Sequence, residues 1–298
     1  MPTVHLDTLP VAPFSQQLLK WVGNKQRVAH LIANHFPADV GTYYEPFLGS
    51  GAVLATYAPS RAVASDVLLP LMEIWGALAA EPHSLIDWYA TRREDLMTQD
   101  EVRHRYELVR QSFNHSPNGP DLLFLSRTCY GGVVRFRAAD GYMSTPCGAH
   151  RPMSVDSFAT RVHEWARRTQ GTMFVCQDFR ATMRMATEGD LIYCDPPYSD
   201  SQSILYGAQG FALADLLSEI EAAKARGVRV ALSIDGTKHS GARAVHINAP
   251  EGLFESDIPV HLGGSMLRRF QLAGGTTAND HVSDRLLLTY PSTPATER

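Results

Sequence analysis

Asp190-Leu191-Ile192-Tyr193-Cys194-Asp195-Pro196-Pro197-Tyr198 decides how this chain is read, because an apolar strand here runs straight into a carboxylate, two prolines and an aromatic ring. Residues 190–194 have the length and composition of a central strand. Neither proline offers an N–H and both hold φ at about −65°, so the chain must leave the sheet at Pro196 and turn its carbonyls outward. Asp195, the carbonyls of Pro196 and Pro197, and the face of Tyr198 then enclose a volume suited to a planar amine. The plain alternative is a strand-to-turn exit that binds nothing.

A second corner stands near the other end of the chain. Thr42-Tyr43-Tyr44-Glu45 reads as a short strand, Pro46-Phe47-Leu48-Gly49-Ser50-Gly51 as a turn, and Ala52-Val53-Leu54-Ala55 as the start of a helix. Such a strand, glycine turn and helix make a nucleotide-binding corner, with Gly49 and Gly51 permitting close approach and backbone angles that a Cβ forbids. It lacks the full G-x-G-x-x-G and the lysine of a phosphate-binding loop. The strand Arg61-Ala62-Val63-Ala64-Ser65 ends in Asp66, 15 residues past Gly51. A doubly wound fold puts its ribose-binding carboxylate there, whereas the bland reading of Asp66 is a cap for the next helix.

Strands are expected at about 42–45, 61–66, 172–176, 190–194, 228–234, 257–261 and 284–290, most joined by helical stretches such as Asp215 to Ala225. This pattern makes an α/β protein with an open, mostly parallel Rossmann-like sheet and its ligand at the carboxyl ends of the strands. Residues 14–70 and 170–290 form the sheet domain, 71–169 an insert, and 1–13 and 291–298 loose ends. Within the insert, helices are expected around Pro70 to Ala80, Ser84 to Met97, Glu101 to Phe113 and Val155 to Thr169. Val133 to Arg137 and Tyr142 to Ser144, separated by Ala138-Ala139-Asp140-Gly141, have the form of a hairpin.

At 298 residues, 44% hydrophobic and 19% charged, the chain can bury one large core plus an insert. No apolar run approaches the roughly 20 residues of a membrane span, and the polar start is no signal peptide, so a soluble cytoplasmic protein is expected. The four cysteines have no C-x-x-C spacing and are read as free, buried thiols. The 12 histidines show no metal-ligand spacing, and no metal is expected. Net charge is −4, yet Leu125 to Arg184 carries nine arginines, no lysine and four acids, a local +5 that attracts phosphates or, alternatively, forms a solvated helix face.

In this order these pieces resemble the DNA adenine methylase family, the alpha group of amino-methyltransferases that use S-adenosylmethionine. Lys20-Trp21-Val22-Gly23-Asn24-Lys25 resembles the family's K-W-x-G-x-K opening, Glu45 to Gly51 its E-P-F-x-G-x-G loop, Gln177-Asp178-Phe179 its acid-aromatic pair, and Asp195 to Tyr198 its D-P-P-Y motif. Asp284-Arg285-Leu286-Leu287-Leu288-Thr289-Tyr290 is similar to its last strand, and Arg268-Arg269 with Gly274-Gly275-Thr276 to the loop before it. The resemblance implies a methyltransferase sheet. It implies catalysis by Asp195, Pro196, Pro197 and Tyr198, and a cofactor site of Trp21, Gly23, Lys25, Glu45, Phe47, Gly49, Gly51, Asp66, Asp178, Phe179 and Asp195. It also implies double-stranded DNA as partner, read by the hairpin in the major groove, in a protein associated with the nucleoid. In and around that hairpin Arg127, Arg135, Arg137 and Arg151 are the candidate DNA contacts, to base edges or to phosphates. A cognate restriction enzyme is left open. Tyr130-Gly131-Gly132 departs from the Tyr-Asn-Gly of close relatives and leaves the recognition sequence open.

Rival chemistries leave different marks. A cytosine C5 methyltransferase needs a nucleophilic cysteine, and Pro146-Cys147 offers the dipeptide but sits in the insert. Cytosine amino methylation more often has serine at the position of Asp195, and RNA or protein amide methylases asparagine. A non-catalytic DNA-binding regulator would have no use for Lys25, Asp66, Asp178 and Asp195 together.

Overall fold

The computed structural model describes residues 10–94, 96–137, 139–197, 211–235, 237–238, 243–244, 249–261 and 283–292. Tyr198 and the Arg268-to-Thr276 loop therefore lie outside the described residues. Seven strands form one sheet: β1 (Tyr43–Glu45), β2 (Ala62–Asp66), β3 (Thr172–Cys176), β4 (Leu191–Cys194), β5 (Arg229–Asp235), β8 (Ser256–His261) and β9 (Ser283–Leu288). Two short strands, β6 (Thr237–Lys238) and β7 (Arg243–Ala244), pair separately. The order across the sheet is β3-β2-β1-β4-β5-β9-β8. The first five strands are mutually parallel, while β9 runs antiparallel to β5, and β8 to β9. The order reverses between β1 and β4, which opens a crevice at their carboxyl ends.

Strict alternation explains why these strands read as unbroken apolar runs. Tyr43, Ala62, Ala64, Leu191, Tyr193 and Ala231 enter one buried cluster, while Tyr44, Val63, Ile192, Cys194, Val230 and Leu232 enter the other. A parallel sheet covered on both faces has no polar side to show. The second cluster takes Phe179 and Met183 from α8 (Phe179–Arg184), and Leu216 and Ile220 from α9 (Leu213–Ala225). The first is covered by α1 (Ala29–Ala33), α2 (Ala52–Tyr57), α3 (Leu69–Ala80) and α7 (Val155–Arg168).

Between β2 and β3 the chain is helical: α3, α4 (Pro82–Arg93), α5 (Gln99–His115), α6 (Gly119–Thr128), a 3-10 turn at Tyr130–Gly132, and α7. Thr98 and Glu101 close α5 with a reciprocal capping box. The helix α6 is absent from the sequence reading, which passes over Gly119-Pro120-Asp121; there Asn118 accepts from the Asp121 N–H and Pro120 starts the helix. Tyr89, Tyr106, Phe113, Phe124 and Phe136 of this region join the same buried cluster as Tyr43 and Tyr193 of the sheet, so the core runs unbroken from insert to sheet.

The expected hairpin forms with less ladder than two strands require. Phe136 pairs with Met143 and Cys129 with Cys147 as isolated bridges, supported by Arg137 N–H to Tyr142 O at 2.9 Å and Ser144 N–H to Arg135 O at 3.0 Å. Within the ends expected to be loose, two described residues are tied down. Val11 N–H donates to Asn34, and Ser292 bonds to both His35 and Ser256. The cysteines are all free, but Cys176 is exposed at the end of edge strand β3 and Cys147 is half-buried, against the expectation of four buried thiols. No described helix is long and apolar enough to cross a membrane.

Candidate active site

The crevice between β1 and β4 holds a cavity of about 260 Å³. Trp21, Gly23, Lys25, Glu45, Phe47, Gly49, Asp66, Asp178, Phe179, Asp195, Pro196 and Pro197 all line it, so residues scattered over 177 positions are brought to one place. Asp195 leaves β4 where Pro196 ends the ladder, and its Oδ1 lies 3.0 Å from Lys25 Nζ. Lys25 Nζ also lies 3.4 Å from Asp284 Oδ2 and donates to Gly23 O at 3.3 Å. Burial works against the Lys25 charge, but Asp195 and Asp284 together outweigh it and raise its pKa above the usual lysine value.

Glu45 ends β1 in the same corner, where the Tyr43 hydroxyl donates to its Oε2 at 2.6 Å. Burial pushes the Glu45 carboxyl up to about 8, with Asp195 adding to the rise and the Tyr43 hydrogen bond opposing it. Between the ordinary glutamate value of 4.5 and about 8, the folded protein keeps a proton that the unfolded chain has released, so stability falls as pH rises through that window. Unfolding by urea at pH 5, 6, 7 and 8 should show this as an excess slope of at most about 1.4 kcal/mol per pH unit, absent in Glu45→Gln. Parallel pH profiles for the two proteins would refute the assignment.

At the other end of the cavity Asp66 closes β2. Its Oδ2 accepts from Gly49 N–H and its Oδ1 from Leu68 N–H, each at 3.1 Å. Burial raises the Asp66 pKa while these backbone donors lower it. The cap of α3 is Leu68, without a side-chain bond, so Asp66 ties the glycine turn to the strand end and is not the helix N-cap. Gly49 has φ +47° and would bring a Cβ to 3.2 Å from Trp21 Cδ1, so only glycine leaves the cavity wall open here. Gly51 is not itself among the lining residues, although Ser50 and Ala52 on either side of it are; at φ +63° it would bring an added Cβ to 3.2 Å from Trp75 Cη2, so packing also demands glycine here.

Phe47 and Phe179 stack at 5.1 Å between centroids and 27° between planes, with Phe211 edge-on to both. Asp178 caps α8 by accepting from Arg180 N–H at 2.9 Å and also pairs with the Arg180 guanidinium. Asn24, Tyr193, Phe211 and Leu68 line the cavity without having been singled out from sequence. Asn24 was within the quoted K-W-x-G-x-K stretch, whereas Phe211 sits in no motif. The Asn24 Nδ2 is buried without a hydrogen-bond partner among the described residues, although its Oδ1 accepts from Gln26 N–H.

The arginine-rich stretch is spent mostly on the protein itself. Arg127 is the clearest correction: its guanidinium donates to Gln17 O and Leu18 O and lies 5.6 Å from the Phe158 ring centroid, fastening the N-terminal segment to α6. Arg161 also donates to Gln17 O. Arg167 and Arg168 share Glu164, Arg180 pairs with Asp178 and Asp215, and Arg184 pairs with Glu219. Arg137 is exposed but forks onto Asp140 and stacks over Tyr142 at 4.3 Å. Arg135 and Arg151 are exposed, and their side chains make no ion pair among the described residues. Cys147 lies across from Cys129 at the hairpin base and does not line the cavity, which removes it as a nucleophile.

Residues 21–239 match the family described as D12 class N6 adenine-specific DNA methyltransferase. The Retron Ec67 DNA adenine methylase of Escherichia coli is 32% identical over 231 residues, covering 74% of this chain and 77% of the relative. The DNA adenine methylase of Vibrio cholerae serotype O1 is 26% identical over 234 residues, covering 74% and 82%. The DNA N-6-adenine-methyltransferase of Escherichia phage P1 is 32% identical over 195 residues, and there the match spans 63% of this chain but a quarter, 25%, of the longer relative. With the family matched across more than two thirds of its length, from the Trp21 segment through β5, this chain belongs to the D12 class N6 adenine-specific DNA methyltransferases.

Proposed function

We propose that this protein transfers a methyl group from S-adenosylmethionine to the exocyclic amino group of an adenine turned out of duplex DNA. The observation that carries it is the convergence, on one cavity at the sheet's switch point, of Asp66 with Gly49 at one end and the Lys25–Asp195 pair beside Pro196 at the other. The residues fit the cofactor. Asp66 suits a ribose diol, Phe179 and Asp178 an adenine ring, and the Trp21-to-Lys25 segment with Glu45 an amino-acid end, toward which the unpartnered Asn24 Nδ2 can donate. Bound there, the sulfonium supplies an electrophilic methyl group and a neutral thioether leaving group. The names of the relatives, DNA adenine methylases among them, support adenine as the target.

An adenine amino group is a poor nucleophile because its lone pair is delocalised into the ring. Asp195 and the Pro196 carbonyl, accepting hydrogen bonds from its two N–H groups, localise that pair and stabilise the positive charge that grows on nitrogen. Tyr198 would stack on the base. Turning the base out costs a few kcal/mol, which these contacts must offset, and holding the reactants in line contributes much of the rate. The region 71–169 is the DNA-reading module in this scheme. Such a protein works in the cytoplasm on nucleoid DNA, and a cognate restriction enzyme would be its partner in a restriction pair. Cleavage of unmodified host DNA by a lysate tests that pairing.

Incubation with tritiated S-adenosylmethionine and duplex DNA, RNA or protein should label duplex DNA alone, and mass analysis of its digest should show N6-methyladenine. Label on cytosine, RNA or protein would overturn the reading. Asp66→Ala should weaken cofactor binding in calorimetry by roughly 1.5–3 kcal/mol for each charge-assisted bond lost, leaving DNA affinity without cofactor nearly unchanged. An unaltered cofactor affinity would leave Asp66 only its turn-fastening role.

Arg135 alternates with buried Val134 and Phe136 and points outward. A guanidinium fork matches the paired acceptors of guanine, so Arg135→Ala should cost about 1–3 kcal/mol on the cognate site and relax discrimination at one base pair. Uniform weakening across sequences, with a shallower salt dependence, would make it a phosphate contact instead.

A further inference from the structure

Asp284 is a buried carboxylate at the site that the transfer chemistry above does not use. It is the second residue of β9, and because β9 runs antiparallel to β5, its amino-terminal end is the one that reaches the carboxyl ends of the parallel strands. The register sets Asp284 opposite Asp235, past the end of β4 from which Asp195 projects. The Asp284 side chain is 7% exposed and its Oδ2 lies 3.4 Å from Lys25 Nζ, on which Asp195 Oδ1 also converges. A carboxylate taken from water this far must be compensated, and Lys25 is a partner shared by two acids.

Sharing decides where the ammonium sits. Methylation of an amino group builds positive charge on nitrogen, so an Asp195 carboxylate kept in place beside it favours the transition state over the ground state. Among the described residues, Tyr193, bonded to Ser233 at 2.9 Å, and Glu45, which accepts from the Tyr43 hydroxyl, also face the cluster.

We infer that Asp284 is a positioning residue for methyl transfer: by engaging the Lys25 ammonium together with Asp195, it holds Lys25 on Asp195 Oδ1 beside the target amine. This rests on the methyltransferase reading above. Lys25 remains charged because the two acids together outweigh its burial, so losing one should let it deprotonate at lower pH.

Asp284→Asn keeps the shape and removes the charge. It should lower kcat on the order of tenfold or more, with KM for DNA and cofactor within about twofold, and Asp284→Glu should restore most of the rate. A second measurement needs no cofactor. Stability from a lysine with a raised folded pKa is present below the ordinary value of 10.5 and lost as pH rises through the folded value. In Asp284→Asn that loss should begin at lower pH, read from chemical unfolding between about pH 8 and 11. Adding Lys25→Met should abolish the difference, because Asp284 acts through Lys25. Wild-type kcat in Asp284→Asn, or losses that simply multiply in the double mutant, would overturn the inference. A wild-type protein that does not methylate adenine in DNA would instead overturn the methyltransferase reading, while the pH dependence of unfolding still decides whether Asp284 governs Lys25.

Discussion

Asp195→Ala should lower turnover by on the order of a hundredfold or more while leaving a folded protein. Asp195 is the carboxylate that β4 delivers to the cavity, and Pro196 guarantees that nothing in the sheet competes for it. Alanine removes the acceptor aimed at the target amine and also takes away the Lys25 partner at 3.0 Å. The Asp195 side chain is 19% exposed, so water can repair part of the lost ion pair, and Lys25 keeps Asp284 and Gly23 O. The loss should therefore fall on rate far more than on stability. Single-turnover methylation of a cognate duplex, normalised to folded protein by circular dichroism and melting, measures it. Wild-type turnover from folded Asp195→Ala would remove Asp195 from the chemistry.

The largest expected loss of stability is at Trp75. Its side chain is fully buried on α3, stacked at 16° on Phe174 of β3 and 5.4 Å from Trp165 of α7, and its Nε1–H donates to Gly49 O at 3.2 Å. One indole thus joins the glycine turn to the helix and strand that flank the insert. Trp75→Ala leaves a cavity and orphans the Gly49 carbonyl, at a cost of about 3–5 kcal/mol, which at this chain length lowers the melting temperature by on the order of 10 °C. Because Gly49 N–H also holds Asp66, cofactor affinity should fall in parallel. Trp75→Phe, which keeps the ring packing but not the N–H, should recover most of the stability and less of the affinity. A melting temperature within 2–3 °C of wild type for Trp75→Ala, the size expected of roughly 1 kcal/mol, would show that the turn is held by other contacts.

How far the chain was legible depends on the range of the forces involved. Leu191 to Cys194 announced a central strand because both of its faces are buried, and Asp195-Pro196-Pro197 announced the exit from it because proline cannot donate to a ladder. Gly49 could be assigned a turn because its φ of +47° is open to glycine and costly for other residues. These are local constraints, written into a few consecutive residues, and they located both ends of the cavity before any contact was known.

Other properties depend on segments distant in sequence meeting in space, and composition does not carry them. The nine arginines gave the local charge but not the partners that each side chain takes. The pairing of Glu164 with Arg167 and Arg168 follows helical spacing, but Arg127 and Arg161 meet the Gln17 carbonyl across more than a hundred residues. The turn at Gly51 follows from its motif, but the packing of Trp75 against it does not. Sequence alone determined the strand-and-turn chemistry of the two corners, since backbone sterics and apolar burial act within a few residues. Only the tertiary structure decided the strand order, the spending of the arginines and the meeting of Asp284 with Lys25, because an antiparallel last strand brings its first residues to a site that lies at the carboxyl ends of all the parallel ones.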